Sequence, residues 1–277
     1  MRFSIIVVCL NAGTELRATI KSILTQDYSD FEIIIKDGGS TDGSIDDIPE
    51  DSRIRFIKKP DSGIYDAMNQ ALEEAKGEYV YFLNCGDYLY DATVLTNVSK
   101  QIDTLDPVPD THTKGSGHAV IYGDILERIS STRVMSNPVI DEFACYRNVP
   151  CHQACFYNRE MLLMHPFNTD YKVRADYEQF LWTFFIAHAK MKYMDMIVAS
   201  YMGGGFSESK EGRHKSRKEH AEIVENYMPH SHVVRYKWRM ILSMAWLRGI
   251  IAKNPLTAKL YNNLKSRIYS HKSQEID

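Results

Sequence analysis

Residues 79–87 read Tyr79-Val80-Tyr81-Phe82-Leu83-Asn84-Cys85-Gly86-Asp87. The first five are apolar or β-favouring without a break, as in a parallel strand covered on both faces, which has no polar side. Ligands of open α/β sheets bind outside the carboxyl ends of such strands. Asp87 is therefore expected where a divalent cation and a diphosphate can be held. Mg²⁺ and Mn²⁺ take hard oxygen ligands, and one or two carboxylates plus substrate phosphates suffice. An Asp after a strand is also a common turn former, so the flanking segments must decide.

Phe3-Ser4-Ile5-Ile6-Val7-Val8-Cys9-Leu10 is a second such run, broken by Asn11-Ala12-Gly13-Thr14. Leu16, Ile20, Ile23 and Leu24 follow at helical spacing, with Thr14 as the expected N-cap. Another strand, residues 31–36, runs into Asp37-Gly38-Gly39-Ser40-Thr41-Asp42-Gly43-Ser44. This turn is dense in glycine, hydroxyl and acid. It either exposes Asp37 to a ribose or base or caps itself in solvent. Strand, helix, strand and acidic turn make the first half of a nucleotide-binding α/β sheet.

Together these segments resemble the opening of the family 2 glycosyltransferases, the inverting group with the GT-A fold. The resemblance continues through residues 58–89, "KKPDSGIYDAMNQALEEAKGEYVYFLNCGDYL", and resumes at "YKVRADYEQFLW" and "YMGGGFSES". It spans roughly residues 1 to 210 and is close to the form found in bacterial exopolysaccharide, capsule and lipopolysaccharide sugar transferases, including a colanic-acid type. It implies a Rossmann-like mixed, mainly parallel sheet flanked by helices. On the donor side it implies Asn11 and Ala12 along the nucleotide, Asp37 and Gly38 at its base or ribose, and Asp61, Gly63 and Asp66 lining the cleft. Asp87 is implied as the ligand of Mn²⁺ or Mg²⁺ on a nucleotide-diphosphate sugar, with Asn84 in support. Asn84 and Gly86 stand where many relatives carry further aspartates.

Inverting displacement also needs a base opposite the leaving diphosphate. In Arg174-Ala175-Asp176-Tyr177-Glu178 the resemblance assigns that role to Asp176, with Ala175 replacing the usual glutamate. An Asp at a helix start is also a favoured cap, stabilising by roughly 1 kcal/mol. Glu178 is the second candidate. Met202-Gly203-Gly204-Gly205-Phe206-Ser207 offers backbone amides to an anion. The basic run from Lys210 to Lys218 reads as a lid over phosphates or as a solvated helix face. His152 and Gln153 are expected to contact acceptor or sugar or to satisfy a buried polar layer. Cys145, Cys151, His152 and Cys155 lack the paired spacing of a zinc site.

The chain has 277 residues, a net charge of −3 and five cysteines. That length suits one α/β domain, expected over residues 1–207, with a basic amphipathic helical region over 208–277. The cysteines show no disulfide framework and read as a reducing compartment. Met1-Arg2-Phe3-Ser4 leads into a strand rather than a signal peptide, and no apolar stretch approaches the ~18 residues that span a bilayer. Residues 103–118 read as an exposed loop before a strand at 119–124.

From Asn226 through Gln274 there is no Asp or Glu, while nine Lys and Arg are interleaved with Trp238, Met240, Ile241, Trp246 and other apolar residues. Pro255 is expected to separate two helices. Such basic amphipathic helices suit an anionic membrane surface, here the inner face of the cell membrane. The alternative is a helical subdomain packed on the core with its lysines solvated. Nucleic acid is excluded as partner, because no binding module accompanies the basic tract. Three functions stay open: a metal-dependent glycosyltransferase with a glycan or lipid-linked acceptor, a sugar nucleotidyltransferase, and a non-catalytic carbohydrate- or membrane-binding descendant. "NAGTELRATIK" lacks the glycine-rich, lysine-bearing signature of the second.

Overall fold

A computed structural model describes residues 1–105, 118–203 and 209–243. The tract beyond residue 243, including Trp246 and Pro255, and the glycine segment after Gly203 lie outside the described residues.

The chain begins β1(Phe3–Cys9), α1(Glu15–Leu24), β2(Phe31–Asp37), β3(Ile54–Lys58), α2(Ile64–Leu72) and β4(Tyr79–Phe82). It continues β5(Tyr88–Leu89), α3(Val94–Asp103), β6(Ala119–Glu127), β7(Thr132–Val134) and α4(Glu142–Arg147). A 3-10 turn, His152–Ala154, leads to β8(Cys155–Asn158), α5(Arg159–Met164), α6(Ala175–Phe185), β9(Lys190–Tyr201), α7(Lys210–Tyr227) and α8(His230–Leu242).

All nine strands among the described residues join one mixed sheet in the order β3-β2-β1-β4-β8-β6-β9-β5, with β7 on β6. β3, β2, β1 and β4 are mutually parallel, and β8 runs antiparallel to both β4 and β6. Every residue of β1, β2 and β4 is buried, as unbroken apolar runs require of strands covered on two faces. Period two divides β1 between the layers. Phe3, Ile5 and Val7 belong to the core layer that holds α1 and α3, while Ile6 and Val8 belong to the layer that holds α2, α5, α6, α7 and α8. The described part of the basic region thus sits on the same core through Ile223, Val224, Val233 and Tyr236.

Local expectations shift at their edges. β1 stops at Cys9, leaving Leu10 exposed. Leu83 lies past the end of β4, although its N–H still reaches Ile6 O at 2.9 Å. Thr14 is not an N-cap by its side chain; it already has helical dihedrals and makes no capping bond. The strand expected at 119–124 runs three residues further, to Glu127.

Candidate active site

The carboxyl ends of β1, β2 and β4 open on one rim, as their parallel register dictates. Cys9 pairs with Asp37 across β1 and β2, and Ile6 with Phe82 across β1 and β4. Between them lies an open cleft of about 350 Å³ lined by Val8, Cys9, Leu10, Ala12, Glu15, Ile64, Asn84 and Cys85.

Two loops form its outer wall by bonding to each other. Asn11 N donates to Ser40 Oγ at 2.8 Å, and Asn11 Oδ1 accepts from Thr41 N at 3.0 Å. Gly13 N donates to Asp42 Oδ2 at 2.8 Å. Asp37 anchors the second loop from inside. Its carboxylate is wholly buried and accepts from Gly39 N, Ser40 N and Ser40 Oγ. This corrects the expectation that Asp37 meets the donor: the turn folds its own amides onto the acid before any ligand can reach it. Self-capping was the right alternative, but in the interior rather than in solvent.

Asp61 and Asp66 each have partners within the protein. Lys36, fully buried, donates from Nζ to Asp61 Oδ2 at 2.8 Å and to Lys59 O at 2.6 Å. Asp61 Oδ1 accepts from Gly63 N at 3.2 Å. A Cβ on Gly38 would lie only 2.8 Å from Asp61 Oδ2, so the glycine is what admits this acid to the rim. Asp61 keeps some exposure there. Asp66 instead caps α2: its Oδ2 accepts from Ser62 N at 2.7 Å and Ser62 Oγ at 3.1 Å. That amide, more than any other contact, holds its carboxyl below the usual range. Gly63, with φ 137°, is the turn that starts the helix.

The segment after β4 folds Asp87 inward. It is 3 % exposed, Oδ1 accepting from Met202 N at 2.8 Å and Oδ2 from Gln153 Nε2 at 3.0 Å. Burial raises its pKa against the opposing effect of these donors, His152 and Arg128. Gly86 has φ 91°, a conformation an aspartate would adopt only under strain. Its carbonyl accepts from Arg128 Nη2, and the Arg128 guanidinium stacks 4.3 Å over the Tyr88 ring. Asn84 Oδ1 is buried without a hydrogen-bond partner among the described residues.

That orphaned oxygen and the free lone pairs of Asp87 fit a divalent cation taking its other ligands from a diphosphate. Three or more His, Cys, Asp and Glu grouped as for a protein-only metal site do not occur among the described residues.

Across from Asp87 lies Asp176, in the first turn of α6. It makes no capping bond there; its oxygens point to other elements. Oδ1 accepts from the Tyr65 hydroxyl at 3.0 Å, and Oδ2 lies 3.2 Å from His152 Nδ1. The side chain stays 29 % exposed, enough for a ligand to touch. Burial pushes its pKa up, but the His152 and Tyr65 hydrogen bonds and the nearby Arg174 charge outweigh it, and the carboxyl lies below its ordinary value. Burial keeps the Tyr65 phenol protonated, with its pKa well above the usual value.

Glu178, the second candidate base, faces away. It is buried against His165 Nε2 at 3.0 Å and the Tyr227 hydroxyl. The segment leading into α6 is clamped by Glu219 of α7, which accepts from Lys172 N, Val173 N and Arg174 N at 2.9, 3.0 and 2.9 Å. The basic run on α7 is largely exposed, with Arg213, His214, Arg217 and Lys218 all in solvent.

Sequence reasoning singled out His152 and Gln153 but not their partners, which are the two acids. It passed over Tyr65 inside the DSGIYDAMN motif, where an aromatic at a helix start reads as core. Arg128 carried no signal at all, since only the sheet brings residue 128 to residue 86.

The family model "Glycosyl transferase family 2" matches residues 4–146. A PGL/p-HBAD biosynthesis glycosyltransferase of Mycobacterium tuberculosis is 34% identical over 207 residues, 72% of this chain and 76% of that protein. The Escherichia coli UDP-Glc:alpha-D-GlcNAc-diphosphoundecaprenol beta-1,3-glucosyltransferase WfaP is 42% identical over 106 residues, 37% of this chain and 41% of that one. Among solved structures, residues 1–349 of Staphylococcus aureus TarS in complex with UDP-GlcNAc share the fold. The TM-score is 0.66 at 17% identity, over 94% of this chain and 78% of that one. With its GT-A sheet and these relatives, the chain belongs to glycosyltransferase family 2 and is a glycosyltransferase.

Proposed function

We propose that this enzyme inverts the anomeric centre as it moves a sugar from a nucleotide-diphosphate sugar to a glycan or lipid-linked acceptor, in the synthesis of bacterial surface polysaccharide. The observation that carries the reading is the placement of Gln153 on Asp87 and of His152 on Asp176. Two acids with opposite electrostatics are thereby held on either side of one turn.

Asp176 is the base. Ionised at neutral pH and partly exposed, it accepts the proton of the acceptor hydroxyl as that oxygen bonds to the anomeric carbon. The bond from that carbon to the diphosphate oxygen breaks on the opposite face, the electron pair leaves with the nucleoside diphosphate, and the proton stays on Asp176. Ala12, Asn11 and Asp61 border the donor, with Asp37, Gly63 and Asp66 shaping the wall behind them. Asp87 and Asn84 would hold Mn²⁺ or Mg²⁺, which when bound supplies positive charge to the diphosphate. Arg128 adds fixed charge on the same side.

WfaP, by its name, acts on a diphosphoundecaprenol-linked sugar, and this supports a lipid-linked acceptor here. Among the described residues no helix is long and apolar enough to cross a membrane. We place the enzyme peripherally on the cytoplasmic face, held by its basic C-terminal helices.

The test is a thermal-shift screen of UDP-glucose, UDP-N-acetylglucosamine and GDP-mannose with and without Mn²⁺, followed by transfer to a synthetic GlcNAc-diphospholipid. A donor that binds only the native state raises the melting temperature by mass action. Asp176→Asn should keep that shift and lose transfer by about 10²–10⁴-fold. Unchanged transfer by the folded variant overturns the base, and a donor shift with no transfer by the wild type favours a non-catalytic descendant.

A further inference from the structure

The 3-10 turn His152–Ala154 is more than a spacer between two acids. Tyr81, at the centre of the sheet, donates its hydroxyl to Gln153 O at 2.6 Å. Cys151 Sγ lies 2.7 Å from Gln153 Oε1, and Gln153 is 3 % exposed. The turn is therefore rigid where it meets Asp87. His152, the next residue, is itself held from behind: Asn84 Nδ2 approaches its Nε2 at 3.4 Å. The other ring nitrogen, Nδ1, faces Asp176 Oδ2 at 3.2 Å, so a proton on Nδ1 is donated to the carboxylate.

We propose that His152 is a positioning residue for the base, an imidazole held by Asn84 that fixes Asp176 Oδ2 while Tyr65 fixes Oδ1. This rests on the reading of Asp176 as base. With one donor on each oxygen, the carboxylate cannot rotate about its own axis. One lone pair on each oxygen stays open for the acceptor hydroxyl. Because Asn84 also borders the diphosphate side, the chain Asn84, His152, Asp176 sets the spacing between attacking and departing oxygens. Misplacement by 1 Å is enough to cost about 10²-fold in rate.

The experiment uses the full chain and whichever of the three nucleotide sugars above supports transfer to the synthetic GlcNAc-diphospholipid. His152→Ala should lower kcat by roughly ten- to hundredfold while the KM for the nucleotide sugar moves by less than about twofold, since binding of the donor is untouched. His152→Asn, whose amide N–H replaces Nδ1–H, should recover most of the loss. In the Asp176→Asn background, His152→Ala should cost nothing more, because His152 acts only through Asp176. Wild-type kcat in His152→Ala overturns the proposal, as does an equal loss in both backgrounds, or failure of the Asn variant to recover activity while its melting temperature matches the wild type. Full transfer by Asp176→Asn alone would instead overturn the base, whatever residue 152 does.

Discussion

At the scale of single residues, the two facing acids differ in sign, and each difference is measurable. Asp176 lies below its unfolded pKa, so its ionised form stabilises the fold. That contribution is present above the unfolded value and is lost as pH falls through the folded one. The acid limb of the rate profile should therefore sit low, with activity flat through neutrality. Tyr65→Phe removes a donor to the ionised form, so the folded pKa rises and the acid limb of kcat against pH moves upward. An unmoved limb would show that Tyr65 has no hold on the base. Asp87 is the reverse case. Burial raises its pKa, so the ionised acid destabilises the fold above that value and is neutral below the unfolded one. Asp87→Asn should melt at the same or a higher temperature than the wild type at pH 7 without ligand, with the gap closing towards pH 4, while transfer is lost. A lower melting temperature at pH 7 would mean that the carboxylate is a structural anchor rather than a site held under tension.

At the scale of elements, the proposed base, Asp176, depends on a helix remote in sequence. Glu219, 6 % exposed on α7, caps three successive amides at residues 172–174, and those amides set the start of α6. Glu219→Ala removes the acceptor from three part-buried amides, at about 1–3 kcal/mol for any that water does not reach. The variant should lose several degrees of melting temperature, and transfer at a permissive temperature should fall with little change in the KM for donor. Full activity with unchanged stability would show that the segment holds itself. No pattern in the sequence announces this clamp, because Glu219 sits in a run of Lys, Arg and Glu that reads as solvated surface. Elements were legible where burial is symmetric. The apolar runs at 3–10, 31–36 and 79–83 gave β1, β2 and β4 to within a residue or so, since a strand covered on both faces leaves an unbroken signature. Site residues were legible as motifs but not as contacts. DGGSTDGS announces a functional turn, yet whether Asp37 points out or in depends on backbone dihedrals that composition does not encode. Asp66 is a capping acid by its contacts, and in sequence such an acid is indistinguishable from a ligand-binding one.

At the scale of the whole molecule, the sheet gathers the proposed nucleotide side at its parallel half, and α7 and α8 close the layer behind α6. α8 presents two faces. Val233 and Tyr236 pack inward, and Arg239 lies 3.9 Å over the Phe143 ring. Val234, Trp238, Ile241 and Leu242, at spacings of four, three and one, stay exposed on the other side, Trp238 by 59 %. Arg235 and Lys237 are exposed beside them. An apolar stripe with tryptophan and basic flanks is the arrangement that lies in the headgroup region of an anionic bilayer. Each basic residue near such a surface contributes about 1 kcal/mol, and salt screens it over about 10 Å. Full-length protein should therefore sediment with phosphatidylglycerol vesicles and not with phosphatidylcholine, and release as salt rises. Lys237→Glu with Trp238→Ser should weaken sedimentation tenfold or more, since both changes lie off the Phe143 contact and leave the buried face intact. Transfer to a water-soluble acceptor should persist in that variant, while transfer to a lipid-linked acceptor presented in vesicles should fall. Equal sedimentation with both lipids, or a variant that binds as the wild type does, would assign the stripe to something other than a membrane.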